Sequence, residues 1–382
     1  MYISRLKAEN WKNFRKIDIP LNYRLFLVGP NASGKSNFLD IFRFLRDLCI
    51  SGGGLQQAID ARRGGVSAIR CLAARSKPDI AVEVEITDDK NDIRWSYRLV
   101  FSQNNNRIPV IVHEEVKRDG AFLIRRPNEE DKEDYLRLTE TALEQTIANK
   151  EFRSIVHLFQ SVSYQHLVPQ AMRDPQGFSS GKIENDSFGR DFLQRVENTP
   201  QRTKDARLKK IFEAMQVAVP QMESLKVERD NFGTPHLIGF YSHWRPNSVK
   251  QTEAQFSDGT LRLFGLLWTL FEGDGPLLLE EPELSLHPEI VALLPQVIEK
   301  VQKSRKIRRQ VVISTHAAAM LDQPSIGAEE VFWLSPSPEG TLLHSPNDDA
   351  KDREMIAAGF TVGEIAIPKS SPTNIDQLVL KL

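Results

Sequence analysis

The octapeptide Gly29-Pro30-Asn31-Ala32-Ser33-Gly34-Lys35-Ser36 fits the pattern G-x-x-x-x-G-K-[ST], and no other stretch of the chain narrows the fold as far. The pattern requires a buried strand before it and a helix after it. Leu25-Phe26-Leu27-Val28 is an apolar run that reads as the strand. Residues 37–45 read as the helix, with Phe38, Leu39, Ile41, Phe42 and Leu45 at helical spacing. Gly29 and Gly34 allow a tight loop whose N–H groups turn toward an anion, and a helix starting near Lys35 adds its positive end. In that arrangement Lys35 reaches the β and γ phosphates of a bound nucleotide, and the Ser36 hydroxyl completes a magnesium shell. A glycine-rich turn with a chance lysine is the plainer reading. It does not explain the order of strand, loop and helix.

The chain has 382 residues, enough for one large domain or two lobes. Its net charge of −1 gives no global attraction to nucleic acid. Cys49 and Cys71, the only cysteines, form neither a metal-ligand pattern nor a disulfide framework, which suits a reducing cytoplasm. The first residues lack the apolar core of a signal peptide, and apolar runs such as 263–271 are too short to span a bilayer. The expectation is a cytoplasmic protein outside the membrane.

Residues 2–28 read as short strands, with Lys12, Asn13, Phe14 and Arg15 at the tip of the first hairpin. From 79 to 125 the apolar period changes to two, and Asp119-Gly120 supplies a hairpin turn; this predicts a half-buried antiparallel meander. Residues 128–134 read as an acidic loop, 136–158 as mostly helical, 161–168 as a strand closed by Pro169-Gln170, and 187–230 as largely helical, broken at Pro200 and Pro220. Pro276-Leu277-Leu278-Leu279 is an apolar strand of the kind buried in a parallel sheet. A helix over 288–302, a strand over 310–313 and a final strand over 331–334 follow, and their alternation implies right-handed parallel crossovers.

Glu280 falls where a strand end meets the phosphate loop, so its carboxylate can hold magnesium, and the adjacent Glu281 can orient an attacking water. Ser257-Asp258-Gly259 opens the next predicted helix upstream; by itself this is an N-cap, and its position before Glu280 makes it a candidate anion site. His316, after Ser314-Thr315, could hydrogen-bond a γ-phosphate. Gln170 is the preferred residue for sensing magnesium and water, with Gln165 and Gln160 as alternatives. The cluster Arg305-Lys306-Ile307-Arg308-Arg309 reads as a solvated helix end, with DNA contact as the sharper alternative.

This set of motifs resembles the ABC-type ATPase heads of the SMC, RecN, RecF and OLD group of AAA-family ATPases. The resemblance rests on Gly29 to Ser36 with Asn37, on Phe256-Ser257-Asp258-Gly259-Thr260-Leu261-Arg262, on Leu277 through Pro288, and on Ser314-Thr315-His316. It implies an α/β fold: a P-loop NTPase head of ABC type, with a mixed parallel core sheet, a flanking antiparallel meander and a helical lobe. It divides the chain into a nucleotide-binding lobe over 1–168 and 256–340, a helical lobe over 169–255 and a tail over 341–382. It implies ATP and Mg2+ as cofactors, with Ser36, Gln170 and Glu280 at the metal. Glu281 becomes the catalytic base, His316 the switch histidine, and Ser257 with Gly259 the signature that closes on the γ-phosphate held by a second copy. The implied partners are a second copy of the chain, in a dimer or higher oligomer sharing composite ATP sites, and a separately encoded effector such as a nuclease. Glu280 in place of the usual aspartate and Asp258 in place of a glycine both point away from transport. No long arm follows the first half, and no Toprim-type acidic cluster follows His316. Compact heads of this kind resemble the ATPase subunits of bacterial anti-phage systems; a DNA-repair ATPase of the RecF or SMC kind is the alternative.

Overall fold

The computed structural model describes residues 1–74, 78–173, 186–242 and 248–371. In chain order the strands are β1 (Tyr2–Trp11), β2 (Phe14–Pro20), β3 (Arg24–Val28), β4 (Ile80–Asp88), β5 (Ile93–Gln103), β6 (Pro109–Arg118), β7 (Ala121–Arg126), β8 (Ser163–Gln165), β9 (Met222–Arg229), β10 (Pro235–Tyr241), β11 (Val249–Thr252), β12 (Leu277–Glu280), β13 (Val311–Thr315), β14 (Val331–Ser337) and β15 (Gly340–His344). The α-helices are α1 (Lys35–Cys49), α2 (Val66–Ile69), α3 (Glu129–Glu133), α4 (Arg153–Gln160), α5 (Pro169–Arg173), α6 (Phe192–Asn198), α7 (Gln201–Ala218), α8 (Asp258–Phe271), α9 (Pro288–Ser304), α10 (Ala318–Leu321), α11 (Ala350–Ala357) and α12 (Val362–Ser370). The chain divides into two compact units, one of Met1–Val162, Asp274–Leu278 and Ile307–Leu382, the other of Ser163–Gly273 and Leu279–Lys306.

The first unit contains two sheets. The core sheet runs β15-β14-β3-β13-β12, with β3 parallel to both β13 and β14 and β15 antiparallel to β14. Every residue of β3 and β13 is buried, as expected for parallel strands covered on both faces. The second sheet, β2-β1-β4-β5-β6-β7, is the predicted meander joined to the N-terminal hairpin. Its alternation is visible in β5, where Trp95, Tyr97, Leu99 and Phe101 are buried and the residues between them are not. These inward rings pack on helices: Phe101 against Phe44 of α1 and Tyr97 against Phe159 of α4. Consequently α1 is apolar on most of its circumference, and Phe38, Leu39, Ile41, Phe42, Phe44, Leu45 and Leu48 are all fully buried. Register places Val28 beside Thr315, so the loops after β3 and β13 leave from the same edge of the sheet.

The second unit is built around α8, an apolar helix buried along most of its length. Leu261, Phe264 and Trp268 form one core with Phe192 and Val196 of α6, Ile211 and Met215 of α7, and Leu237 of β10. The antiparallel sheet β11-β10-β9 belongs to this unit, and here the structure departs from the expectation of a largely helical segment. Met222 to Arg229 has ordinary helix-forming residues after Pro220, but pairs with β10 along its whole length, so tertiary pairing overrides local preference.

Other departures are local. The strand expected over 161–168 is only Ser163–Gln165, and Pro169 and Gln170 begin the turn of helix α5. The acidic loop over 128–134 is the helical turn α3, closed by a capping box in which Asn128 and Asp131 bond each other's backbone N–H. The helix expected over 136–158 breaks into 3-10 turns before α4. The segment expected as a tail carries β15, α11 and α12, while residues 372–382 lie outside the described residues.

Candidate functional site

The predicted site residues fall in both units, and each half is described by itself. In the first unit the loop from Gly29 to Gly34 joins β3 to α1. Two of its residues have left-handed backbone, Ala32 at φ 60° and Gly34 at φ 105°. The loop wraps around the Lys35 ammonium, which donates to the carbonyls of Gly29 at 2.8 Å and Pro30 at 3.1 Å. A loop of this kind at a helix N-terminus is the arrangement whose free N–H groups can take a phosphate. Ser33 is fully buried and its Oγ has no hydrogen-bond partner. Ser36 and Asn37 lie in the first turn of α1. A cavity of about 590 Å³ opens beside the loop, lined by Gly29, Pro30, Asn31 and His316 among others. The fold thus brings His316 to the phosphate loop, as its place after a parallel neighbour of β3 requires.

The tip of the first hairpin also reaches the loop, in a way the sequence left open. Lys12 bonds the Asp40 carboxylate at 2.7 Å, and Arg63 holds the same group at 2.9 Å. Burial works against a charge on Asp40, but the charges of Arg63 and Lys12 outweigh it and hold its carboxyl below the usual range. Asn13, not Lys12, meets the phosphate loop itself, at the carbonyl of Ser33.

In the second unit Glu280 ends β12. The Tyr164 hydroxyl of β8 donates to its carboxylate, and the His166 ring lies 3.2 Å from its carbonyl. Glu281 follows with φ 46°, an uncommon backbone for a glutamate. Arg262, 5% exposed on α8, donates to the Glu281 carbonyl at 3.1 Å and to the Leu167 carbonyl. Ser257 is the N-cap of α8 and accepts from the Thr260 N–H at 3.1 Å. Asp258 is held by Arg173 at 2.5 Å and by the Gln170 amide at 3.0 Å, so the charge it places at the helix tip is balanced. Gly259 cannot be replaced without movement, because a Cβ there would lie 2.6 Å from the Ser285 carbonyl.

The three glutamines separate clearly. Gln170 sits on α5 and spends its amide on Asp258. Gln160 donates to the Cys49 carbonyl at 2.6 Å, a tie at the end of α1. Gln165 ends β8, is 6% exposed, and its Oε1 is buried without a hydrogen-bond partner. An unsatisfied buried carbonyl oxygen at a strand end suits a hard cation such as magnesium. Sequence reasoning did not reach Tyr164 or Arg173, which carry no local signal. The basic cluster is partly structural: Arg305 donates to the carbonyls of Leu270 and Gly273, and Arg309 to that of Gly275. Among the described residues no three His, Cys, Asp or Glu side chains converge as a metal site, and no helix is long and apolar enough to cross a membrane.

Strand order and loop together give the α/β fold of a P-loop NTPase head of ABC type. The chain belongs to the AAA-domain family described as "AAA domain, putative AbiEii toxin, Type IV TA system", whose profile matches residues 25–322. No curated protein matches it by sequence. Among solved structures it is similar to an SMC head bound to the C-terminal winged-helix domain of ScpA, at 14% identity and a TM-score of 0.54, covering 90% of this chain and 97% of that one. The SMC head of Pyrococcus furiosus with an extended coiled coil, bound to the C-terminal domain of ScpA, gives 13% identity, a TM-score of 0.52 and coverage of 93% and 99%. That of Pyrococcus yayanosii, with a coiled coil and joint, gives 11%, 0.50, and coverage of 94% and 99%. These likenesses establish the fold expected from the motifs.

Proposed function

We propose that this chain binds and hydrolyses ATP with Mg2+ and works as a cytoplasmic dimer of heads. The phosphate loop of one copy faces Ser257-Asp258-Gly259 of the other. In this reading the first unit is the nucleotide-binding lobe and residues 163–273 are the lobe that carries the signature. Lys35 binds the β and γ phosphates, and Ser36, Glu280 and Gln165 would hold the metal, with Gln165 preferred over Gln170 for its unsatisfied oxygen. Glu281 is the base that takes a proton from the attacking water, and His316 hydrogen-bonds the γ-phosphate. Magnesium, when bound, neutralises charge on the phosphate oxygens. The observation that carries the proposal is the backbone of Glu281, at φ 46° and held by Arg262 directly after the apolar strand that ends in Glu280. Strain of that kind persists where the surroundings enforce it and gathers at catalytic positions.

The output is a conformational signal to a separately encoded effector in bacterial anti-phage defence. The toxin–antitoxin wording of the family and the ScpA-bound state of the similar SMC heads support a head that acts through another protein. Glu281→Gln tests the mechanism. The variant is expected to bind ATP, to lose turnover, and to sediment as an ATP-dependent dimer. A variant that stays monomeric with ATP overturns the shared site.

A further inference from the structure

Two turns far apart in the chain meet behind the phosphate loop. Asn13 belongs to the β1–β2 turn, and Thr341 follows the turn into β15. Asn13 Nδ2 donates to the Ser33 carbonyl at 2.9 Å and to Thr341 Oγ1 at 2.7 Å. The Thr341 hydroxyl, on a residue 4% exposed, donates in turn to the same Ser33 carbonyl at 2.8 Å. Asn13 Oδ1 accepts from Asn37 Nδ2 at 2.8 Å, and the Thr341 N–H donates to the Asn13 carbonyl at 2.7 Å. Every polar atom of the Asn13 side chain is therefore committed. The fit is close: a Cβ on Gly34 would lie 2.1 Å from Asn13 Nδ2.

The peptide between Ser33 and Gly34 is planar, so its C=O and N–H point in opposite directions. Two donors hold the Ser33 carbonyl on the Asn13 side, and the Gly34 N–H is thereby held on the other side. An anion hollow works only when its N–H groups already converge, because turning a peptide at the moment of binding costs affinity. We propose that Asn13 and Thr341 are positioning residues for the phosphate loop, which fix the Gly34 N–H toward the terminal phosphates of a nucleoside triphosphate. The inference rests on the ATP reading above. It makes the β14–β15 hairpin, remote in sequence from the phosphate loop, part of the nucleotide site.

Calorimetry of ATP with Mg2+ tests it on the full chain, with melting curves taken without nucleotide. Thr341→Val keeps the shape and removes the hydroxyl, and its ATP affinity is expected to fall about tenfold, the worth of one well-placed hydrogen bond. Thr341→Ser is expected to restore the affinity. A purely structural hydroxyl would lower the melting temperature of Thr341→Val and leave its ATP affinity at the wild-type value, and that result overturns the proposal. Should Thr341→Val fail to fold, Asn13→Asp serves instead, since it sets an oxygen against the Ser33 carbonyl in the same volume; wild-type affinity in that variant also overturns it. The ATP reading has its own control. If the wild type gives no binding heat, or Lys35→Ala binds as well as the wild type, that reading fails and takes this inference with it. If only the Thr341 and Asn13 variants bind normally, the ATP site stands and the bracket alone is refuted.

Discussion

The guanidinium of Arg262 donates to the backbone carbonyl of Glu281 at 3.1 Å, and Glu281 is the residue turned into left-handed backbone. A second branch of the same guanidinium reaches the Leu167 carbonyl, two residues beyond the end of β8. One buried cation thus holds helix α8, the residue after Glu280 and the segment that follows Gln165. Burial lowers the tendency of Arg262 to stay charged, while the fields of Glu283, Asp258 and Glu281 favour the charge.

Replacing Arg262 with methionine leaves both carbonyls without this donor. The expected loss of stability is roughly 1–3 kcal/mol, from the buried Leu167 carbonyl left without this donor, while the Glu281 carbonyl keeps the Leu284 N–H. Turnover should fall about a hundredfold, the usual consequence of shifting a catalytic group by an ångström. ATP affinity should change far less, because Lys35 and its loop keep their contacts. A melting curve, an ATPase assay and calorimetry separate the three effects. Normal turnover in a folded variant would show that Arg262 does not set the position of Glu281.

The buried, unsatisfied Oε1 of Gln165 and the committed amide of Gln170 lead to a direct comparison. Gln165→Ala is expected to cut turnover by about tenfold or more and to raise the Mg2+ concentration needed for half-maximal rate, as loss of a metal-positioning oxygen does. Gln170→Ala should leave the Mg2+ dependence in place. Rates measured over a magnesium titration decide the matter, and the opposite ranking would return the metal role to Gln170.

Glu114 supplies a pH test away from the nucleotide loop. It is fully buried in the first unit and accepts from Tyr97, the Ala142 N–H and Arg126. Burial pushes its carboxyl up to about 7 against the pull of those donors. A carboxyl raised on folding stabilises the fold while protonated; that share is complete below the ordinary value of 4.5 and is lost as pH climbs through about 7. Glu114→Gln removes the titration and keeps the size. The stability of the wild type relative to this variant should fall from pH 4.5 toward 7 and level off above it. Thermal melts across that range check it, and a difference independent of pH would mean that Arg126 keeps Glu114 ionised throughout.

Much of the architecture was legible in local patterns. The apolar run before Gly29, the helical spacing after Ser36 and the period of two in β4 and β5 each depend on neighbours within a few residues. The segment 222–252 was not legible. Its first strand, Met222–Arg229, carries helix-compatible residues and becomes part of a sheet only by pairing with β10. Which of Gln160, Gln165 and Gln170 keeps an unsatisfied amide oxygen was equally hidden, because that depends on packing.

The sequence by itself determined that a phosphate cradle stands between a buried strand and a helix, that Glu280 and Glu281 follow an apolar strand, and that Ser257 caps a helix. Spacing and residue type are enough for such features, since backbone geometry and short-range hydrogen bonds enforce them. Only the tertiary structure decided that Asn13 and Thr341 share the Ser33 carbonyl, that Arg262 grips Glu281, and that Arg173 balances Asp258. Each of those contacts joins residues far apart along the chain, and a hydrogen bond made across such a separation leaves no periodicity behind it.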